Sequence, residues 1–217
     1  MVIVIFCFIA YLLGSVPNAV WIGKAFFDID VREYGSGNAG ATNVFRVLGK
    51  TAGSAVLLLD ILKGLLAARL SYLIANTIDA SLSSKEILDL QVLFGVMAVI
   101  GHLLPIFAKF KGGKGVATLC GMIITLNPQL AMIAVLVFLL FFLTTGYVSL
   151  GSMMAGISMP ILFIRTYGME QWSVAVFSIA VAILVVFTHR KNLKRLAKGE
   201  ENRAKIFHRP NEKNRLA

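Results

Sequence analysis

The chain alternates long apolar runs with short connections rich in glycine, amides or basic residues. The runs predict helices over residues 1–22, 51–76, 87–107, 116–126, 128–144, 148–164 and 172–188. Most approach the ~20 apolar residues that a helix needs to cross a bilayer. The fourth does not. It opens directly after a glycine-rich turn at 112–115 and reads as a half-span, which is tolerated at membrane depth only where protein or a wet cavity satisfies its freed backbone groups. The expected fold class is all-α: a polytopic membrane helix bundle of about seven transmembrane segments, one of them the short half-span.

Composition agrees with a bilayer. Hydrophobic residues make up 58% of the chain and charged residues 15%, with a mean hydropathy of +0.80, well beyond the mix of a soluble domain. At 217 residues there is no room for a second, soluble domain, so residues 1–201 are expected to form one membrane-embedded unit, followed by a polar, basic tail at 202–217. No Lys or Arg precedes the first run, so it reads as a retained helix rather than a cleaved signal. Cys7 and Cys120 lie in apolar stretches without metal-ligand or CxxC spacing and read as buried thiols; no metal site is expected.

Charge sets the expected orientation. Lys24, Arg32, Arg46 and Lys50 lie between the first two runs, Lys109, Lys111 and Lys114 follow the third, and ten Lys or Arg residues lie between Arg190 and Arg215. Basic loops stay on the cytoplasmic side. A single span over 116–144 would leave six helices and put the basic tail outside, whereas seven put all three clusters inside, with the N-terminus outside and the C-terminus cytoplasmic. No internal repeat is visible.

Each basic cluster has a composition suited to phosphate. The first contains Gly35, Ser36, Gly37, Asn38, Gly40, Thr42, Asn43 and Arg46. Glycines let backbone N–H groups converge on an anion, hydroxyls and amides add donors, and a guanidinium offers a bidentate fork. The string also matches GxGxxG, but the flanks are membrane helices rather than a βαβ unit, so a dinucleotide site is rejected. The second cluster contains His102, Lys111, Gly112, Gly113, Lys114, Gly115 and Thr118, with glycines leading into a helix start that presents free N–H groups. The spacing of a Walker A loop, and its Mg²⁺-binding hydroxyl, are absent. In the third cluster His189, Asn192 and Arg195 recur every third residue, close to one face of a helix, while Arg190, Lys191 and Lys194 point away. Asp60 and Lys63, three apart in the second run, are expected to pair with each other inside the bundle, either bracing the first loop or bordering the site.

These segments, GSGNAGATNVFR at 35–46, GHLLPIFAKFKGGKGVAT at 101–118 and HRKNLKRLAKGEE at 189–201, resemble the three signature segments of the bacterial acyl-phosphate:glycerol-3-phosphate acyltransferases, in order and on the expected loops. The resemblance implies transfer of an acyl chain from acyl phosphate to the 1-hydroxyl of glycerol 3-phosphate, giving lysophosphatidic acid and inorganic phosphate, on the cytoplasmic face of the bacterial inner membrane. Neither coenzyme A nor acyl carrier protein would be the direct donor, and no cofactor is implied. Ser36, Arg46, His189 and Asn192 look like its catalytic groups, the glycines around Lys111 and Lys114 like its glycerol 3-phosphate loop, and Glu201 like a structural tie. The expected partners are the two substrates and membrane lipids, with functional coupling to an enzyme that makes acyl phosphate, and no nucleic acid.

Other acyl-handling signatures are missing: no His is followed five positions later by Asp, and there is no GxSxG elbow or HExxH. His189 could take the hydroxyl proton, or bind phosphate while a substrate phosphate takes it; the sequence leaves both open. The competing reading is a transporter or flippase of a phosphorylated solute, for which polar groups near the midplane and paired repeats are expected.

Overall fold

The computed structural model describes residues 1–204 as helices joined by short connections, with no strand among them. Residues 205–217, most of the tail expected to be polar and basic, lie outside the described residues. The helices are α1 (Val2–Ser15), α2 (Asn18–Phe27), α3 (Ala41–Val47), α4 (Lys50–Thr77), α5 (Ser84–Leu103), α6 (Val116–Leu126), α7 (Pro128–Thr145), α8 (Val148–Tyr167), α9 (Trp172–Thr188) and α10 (Arg190–Ala197). Four of them, α4, α5, α7 and α8, are long and apolar enough to cross a membrane alone. Counting α1 with α2 and α9 with α10 as bent pairs brings the number to six, and the short apolar α6 stands besides.

The first run is not one helix. It breaks at Pro17, which has no N–H to give to the ladder, and resumes as α2 at an angle of 40°. The apolar pattern continues across the break, so hydropathy alone reads through it. At α5 the start is earlier than the apolar run implies. Ser83 and Glu86 form a reciprocal capping box, worth about 1 kcal/mol, which carries the helix back into the polar linker.

Phe6 packs on Phe94, and Tyr11 donates to the carbonyl of Leu104, so α1 and α5 run side by side in the same direction. Small residues let other helices approach closely. The carbonyl of Thr118 occupies the space that a side chain on Gly64 would fill, and Ile61 sits likewise against Gly121. That contact places the start of α6 beside the middle of α4. Its end lies at the far end of α8, where Tyr167 donates to the carbonyl of Leu126 and accepts from Asn127. The helix thus covers only part of the bundle's depth, as its length requires.

One apolar core, with Met122, Phe163, Phe177 and Val185 among its members, joins α5 through α9. A second, around Ala10, Ala67 and Phe94, joins α1, α4 and α5. Ala19, Val31, Val44, Ala52 and Val56 form a third beneath the polar segment that precedes α4. Outward-facing Leu58, Leu136, Leu140, Leu143, Ile161 and Ile183 remain exposed, as expected of side chains meant for lipid.

Within the bundle Asp60 and Lys63 do pair, at 2.9 Å, with side chains only 2% and 7% exposed. Asn18 also donates to Asp60, and Lys63 donates to the carbonyl of Val16. The pair therefore satisfies the backbone opened by the break between α1 and α2, and it braces the break against α4.

Candidate active site

Three segments distant in sequence converge at the end of the bundle where α3 and α10 lie. The first is shaped by Asn43, which is 1% exposed. Its amide nitrogen donates to the carbonyls of Val31 (2.8 Å) and Tyr34 (3.1 Å), and its oxygen accepts from the backbone N–H (2.8 Å) and the hydroxyl (3.1 Å) of Ser36. Asn43 thus spends its hydrogen bonds on the loop, and Ser36 is the exposed group that it presents. Gly35 and Gly37 have φ of +62° and +70°, conformations natural to glycine, and Gly40 is the N-cap of α3. Asn38 lies beside Gly40. The stretch read as an open phosphate loop is in part helix, with Thr42 and Arg46 one turn apart on the exposed face of α3.

The second segment leaves α5 and folds back on it. The N–H groups of Gly112 and Gly113 donate to the carbonyls of Leu103 and His102, both at 3.2 Å. Their polar capacity is used inside the protein, and their missing side chains are what the packing needs: a Cβ on Gly113 would meet the His102 ring and, at 2.9 Å, the carbonyl of Ala39. The His102 ring is buried with Nδ1 3.2 Å from the Thr118 hydroxyl and 3.8 Å from Asp60. His102 and Thr118 therefore support the loop from beneath. Gly115, at φ +82°, ends the turn as the N-cap of α6. Lys111 is exposed, whereas Lys114 points inward.

The third segment behaves as its spacing predicts. His189 and Asn192 are buried and Arg195 half-buried, while Arg190, Lys191 and Lys194 are exposed. Lys114 Nζ donates to Asn192 Oδ1, and Asn192 Nδ2 donates to Glu201 Oε1 at 2.6 Å. The same carboxylate accepts from Ser149 on α8 (2.9 Å) and from Arg195 Nε (2.8 Å). Glu201 therefore joins the second and third segments to α8. Burial raises its pKa, but the bonds from Arg195, Asn192 and Ser149 outweigh that and leave it below the usual carboxylate range. Just beyond, Arg203 lies over the Tyr147 ring and Ala204 N–H donates to the carbonyl of Gly146.

Burial is also the largest influence on Lys114. It brings the ammonium down to about 8, against the pull of Glu201 and with the help of Arg195 and Arg46. Arg46 is thus within electrostatic reach, although it comes from the first segment. His189 Nδ1 lies 2.8 Å from the Val185 carbonyl. A carbonyl only accepts, so Nδ1 carries the proton and Nε2 of the neutral ring is left as an acceptor. The result is a cationic, donor-rich recess with one imidazole acceptor in its wall. Arg32, Asn18 and Ser149 were not singled out by the sequence pattern, because each works through partners more than forty positions away.

The family model described as glycerol-3-phosphate acyltransferase matches residues 4–199. A glycerol-3-phosphate acyltransferase of Enterococcus faecalis is 44% identical over 94% of this chain and 92% of its own length. One from Listeria monocytogenes is 40% identical over 94% and 97%. Among solved structures, PlsY, an integral membrane glycerol 3-phosphate acyltransferase in its glycerol 3-phosphate form, superimposes with a TM-score of 0.81 at 36% identity, covering 94% of this chain and 96% of that one. Its lysophosphatidic acid form gives 0.78 at 34% identity, covering 94% and 95%. With nearly its whole length matched at such identity, the chain is an integral membrane protein that belongs to the glycerol-3-phosphate acyltransferase family.

Proposed function

We propose that the protein transfers an acyl chain from acyl phosphate to the 1-hydroxyl of glycerol 3-phosphate, at the cytoplasmic face of a bacterial inner membrane. The observation that carries this reading is the meeting of Lys114, Asn192, Arg195 and Glu201 beside Arg46 and His189, three segments joined into one anion-receptive recess. Acyl phosphate is already an activated anhydride. The chief demand is to hold two phosphorylated molecules together, and well-oriented proximity supplies ~7–11 kcal/mol in favourable cases. The hydroxyl oxygen attacks the acyl carbonyl carbon, the bond from that carbon to the phosphate oxygen breaks, and phosphate leaves. The hydroxyl proton passes to His189 Nε2 or to a phosphate oxygen, the two acceptors available in such a site.

The acyl chain has a place to lie. An apolar groove of about 420 Å³ runs between α5, α6 and α9, lined by Val99, Leu103, Leu119, Val181, Leu184 and Phe187. Its Leu103 end adjoins His102 and its Phe187 end comes within two residues of His189. The basic segments, all on one end, support the cytoplasmic placement. A donor so readily hydrolysed favours coupling to the enzyme that makes it.

The test is to incubate the purified protein with palmitoyl phosphate and labelled glycerol 3-phosphate. Lysophosphatidic acid should appear, with an equal amount of inorganic phosphate above that released by hydrolysis without glycerol 3-phosphate. Movement of label across proteoliposomes with no new product would instead favour a transporter or flippase of a phosphorylated solute.

A further inference from the structure

Arg32 lies outside the three segments, in the short 3-10 turn Val31–Glu33. Asp30 grips its guanidinium edge-on: Nε donates to Oδ1 at 2.9 Å and Nη2 to Oδ2 at 2.6 Å. The fork is thereby aimed, and the remaining Nη1 reaches across to the second segment. It donates to the carbonyl of Ala108 at 3.0 Å and to that of Lys111 at 3.4 Å. Between those carbonyls, Lys109 and Phe110 have φ of +56° and +58°. Such conformations are unfavourable for residues with side chains and need outside support.

On its other side the same turn is held by Asn43, through the carbonyls of Val31 and Tyr34, and Asn43 in turn fixes Ser36. Val31 is itself completely buried. One rigid turn thus connects two grips: Asn43 sets the Ser36 loop, and Arg32 sets residues 108–111, three positions ahead of Lys114.

We propose that Arg32 is a positioning residue that holds the Lys114 loop in register with the Ser36 loop, so that the two can act on one pair of phosphorylated substrates. This rests on the functional reading above, in which Lys114 lies in the anion-receptive recess, and takes the loop around it as the glycerol 3-phosphate loop that the resemblance implies. Lysine cannot replace it. A single ammonium cannot keep the two-point grip on Asp30 and also reach the carbonyls across the gap.

If Arg32 acts through Lys114, removing either should cost much the same affinity and removing both little more. Equilibrium dialysis of labelled glycerol 3-phosphate, with steady-state kinetics alongside, separates the possibilities. Arg32→Gln and Lys114→Ala should each weaken binding roughly tenfold, and the double variant also about tenfold rather than a hundredfold. In Arg32→Gln the KM for glycerol 3-phosphate should rise more than kcat falls, and Arg32→Lys should not rescue it. Multiplicative losses, rescue by lysine, or wild-type affinity in Arg32→Gln would overturn the proposal. Should Arg32→Gln fail to fold, Asp30→Asn leaves the guanidinium present but unaimed. It should weaken binding in the same direction, and wild-type affinity there would overturn the proposal equally. Binding is read directly, so a wild-type protein that binds glycerol 3-phosphate without acylating it counts against the proposed reaction and leaves the positioning role measurable.

Discussion

Lys114 Nζ donates to Asn192 Oδ1 across 78 positions of sequence, and the pair is the joint between the loop after α5 and the helix after α9. Asn192 passes the contact to Glu201, so the ammonium is oriented by an amide rather than neutralised by a carboxylate. A cation held this way keeps its charge for a ligand. It also titrates within reach of ordinary assays.

The first prediction follows from that titration. Burial, with Arg195 and Arg46, brings Lys114 to about 8 in the substrate-free protein, so it is cationic below that pH and neutral above. A phosphate monoester is already close to dianionic at pH 7, its second pKa being ≈ 6. Binding of glycerol 3-phosphate should therefore stay level near neutral pH and weaken as pH rises through about 8, approaching tenfold per unit. Lys114→Arg, which stays charged, should bind less tightly but lose this alkaline limb. A wild-type profile that stays flat to high pH would contradict the assignment.

Glu201→Gln isolates the tie between segments. The carboxylate accepts three side-chain bonds, and a glutamine places an NH₂ where Arg195 or another donor now points. A displaced bond to a charged group costs about 1.5–3 kcal/mol, so kcat/KM should fall by roughly one to two orders of magnitude. Glu201 also raises the pKa of Lys114, so the alkaline limb should move to lower pH in this variant. Lowered activity with an unmoved limb would mean that Glu201 acts on the site by some other route.

How far the sequence reaches can be judged from particular residues. The inward face of α10 was legible because Asn192 and Arg195 follow helical spacing, and the pairing of Asp60 with Lys63 because three positions place them on one face. The helix α3 was hidden by the glycines just before it and by Asn43, which read as loop. Asn43 looked like a phosphate donor, since nothing local reveals that Val31 and Tyr34 claim its amide. The role of Arg32 depends on carbonyls 76 and 79 positions away, created by the backbone turn at Lys109 and Phe110. Periodicity encodes faces, not such partners.

The buried pair offers a stability test. Asp60→Asn leaves the Lys63 ammonium buried without its counter-charge, and Lys63→Met strands the carboxylate; each should cost about 3–5 kcal/mol. The double variant Asp60→Asn/Lys63→Met should recover a large part of that loss, since no uncompensated charge remains. Thermal unfolding in detergent of the four proteins gives the cycle. Strictly additive losses would show that the two charges do not depend on each other.

Orientation is testable independently of activity. The N-terminus starts at the end where α5 begins, and α10 sits at the other, beside the basic segments. Reporters fused after Ala217 should be active only if they work in the cytoplasm, and reporters at Met1 only outside it. A strong signal from an exported reporter at Ala217 would overturn the arrangement of seven segments with a cytoplasmic tail.

The last prediction is that no covalent acyl-enzyme forms on Ser36. A serine nucleophile needs an adjacent base to take its proton, and that base must itself be oriented. The Ser36 hydroxyl donates instead to Asn43 Oδ1 at 3.1 Å, an amide oxygen that is no base at neutral pH. Neither described histidine is the hydrogen-bond partner of that hydroxyl: His102 Nδ1 faces Thr118 from within the bundle, and His189, whose Nε2 is open, is oriented through Nδ1 by the Val185 carbonyl and not toward Asn43. The proposed donor, acyl phosphate, would also arrive activated, so a second activated ester would add a step without lowering a barrier. In direct transfer both substrates must be bound together, and double-reciprocal plots should intersect rather than run parallel. Ser36→Ala should lower kcat/KM by roughly ten- to a hundredfold, the loss of one hydroxyl bond to a charged oxygen, rather than abolish turnover. Mass spectrometry after rapid quenching of protein mixed with acyl phosphate alone should show no added acyl mass. An acyl adduct on Ser36 that discharges when glycerol 3-phosphate is added would establish a two-step mechanism instead.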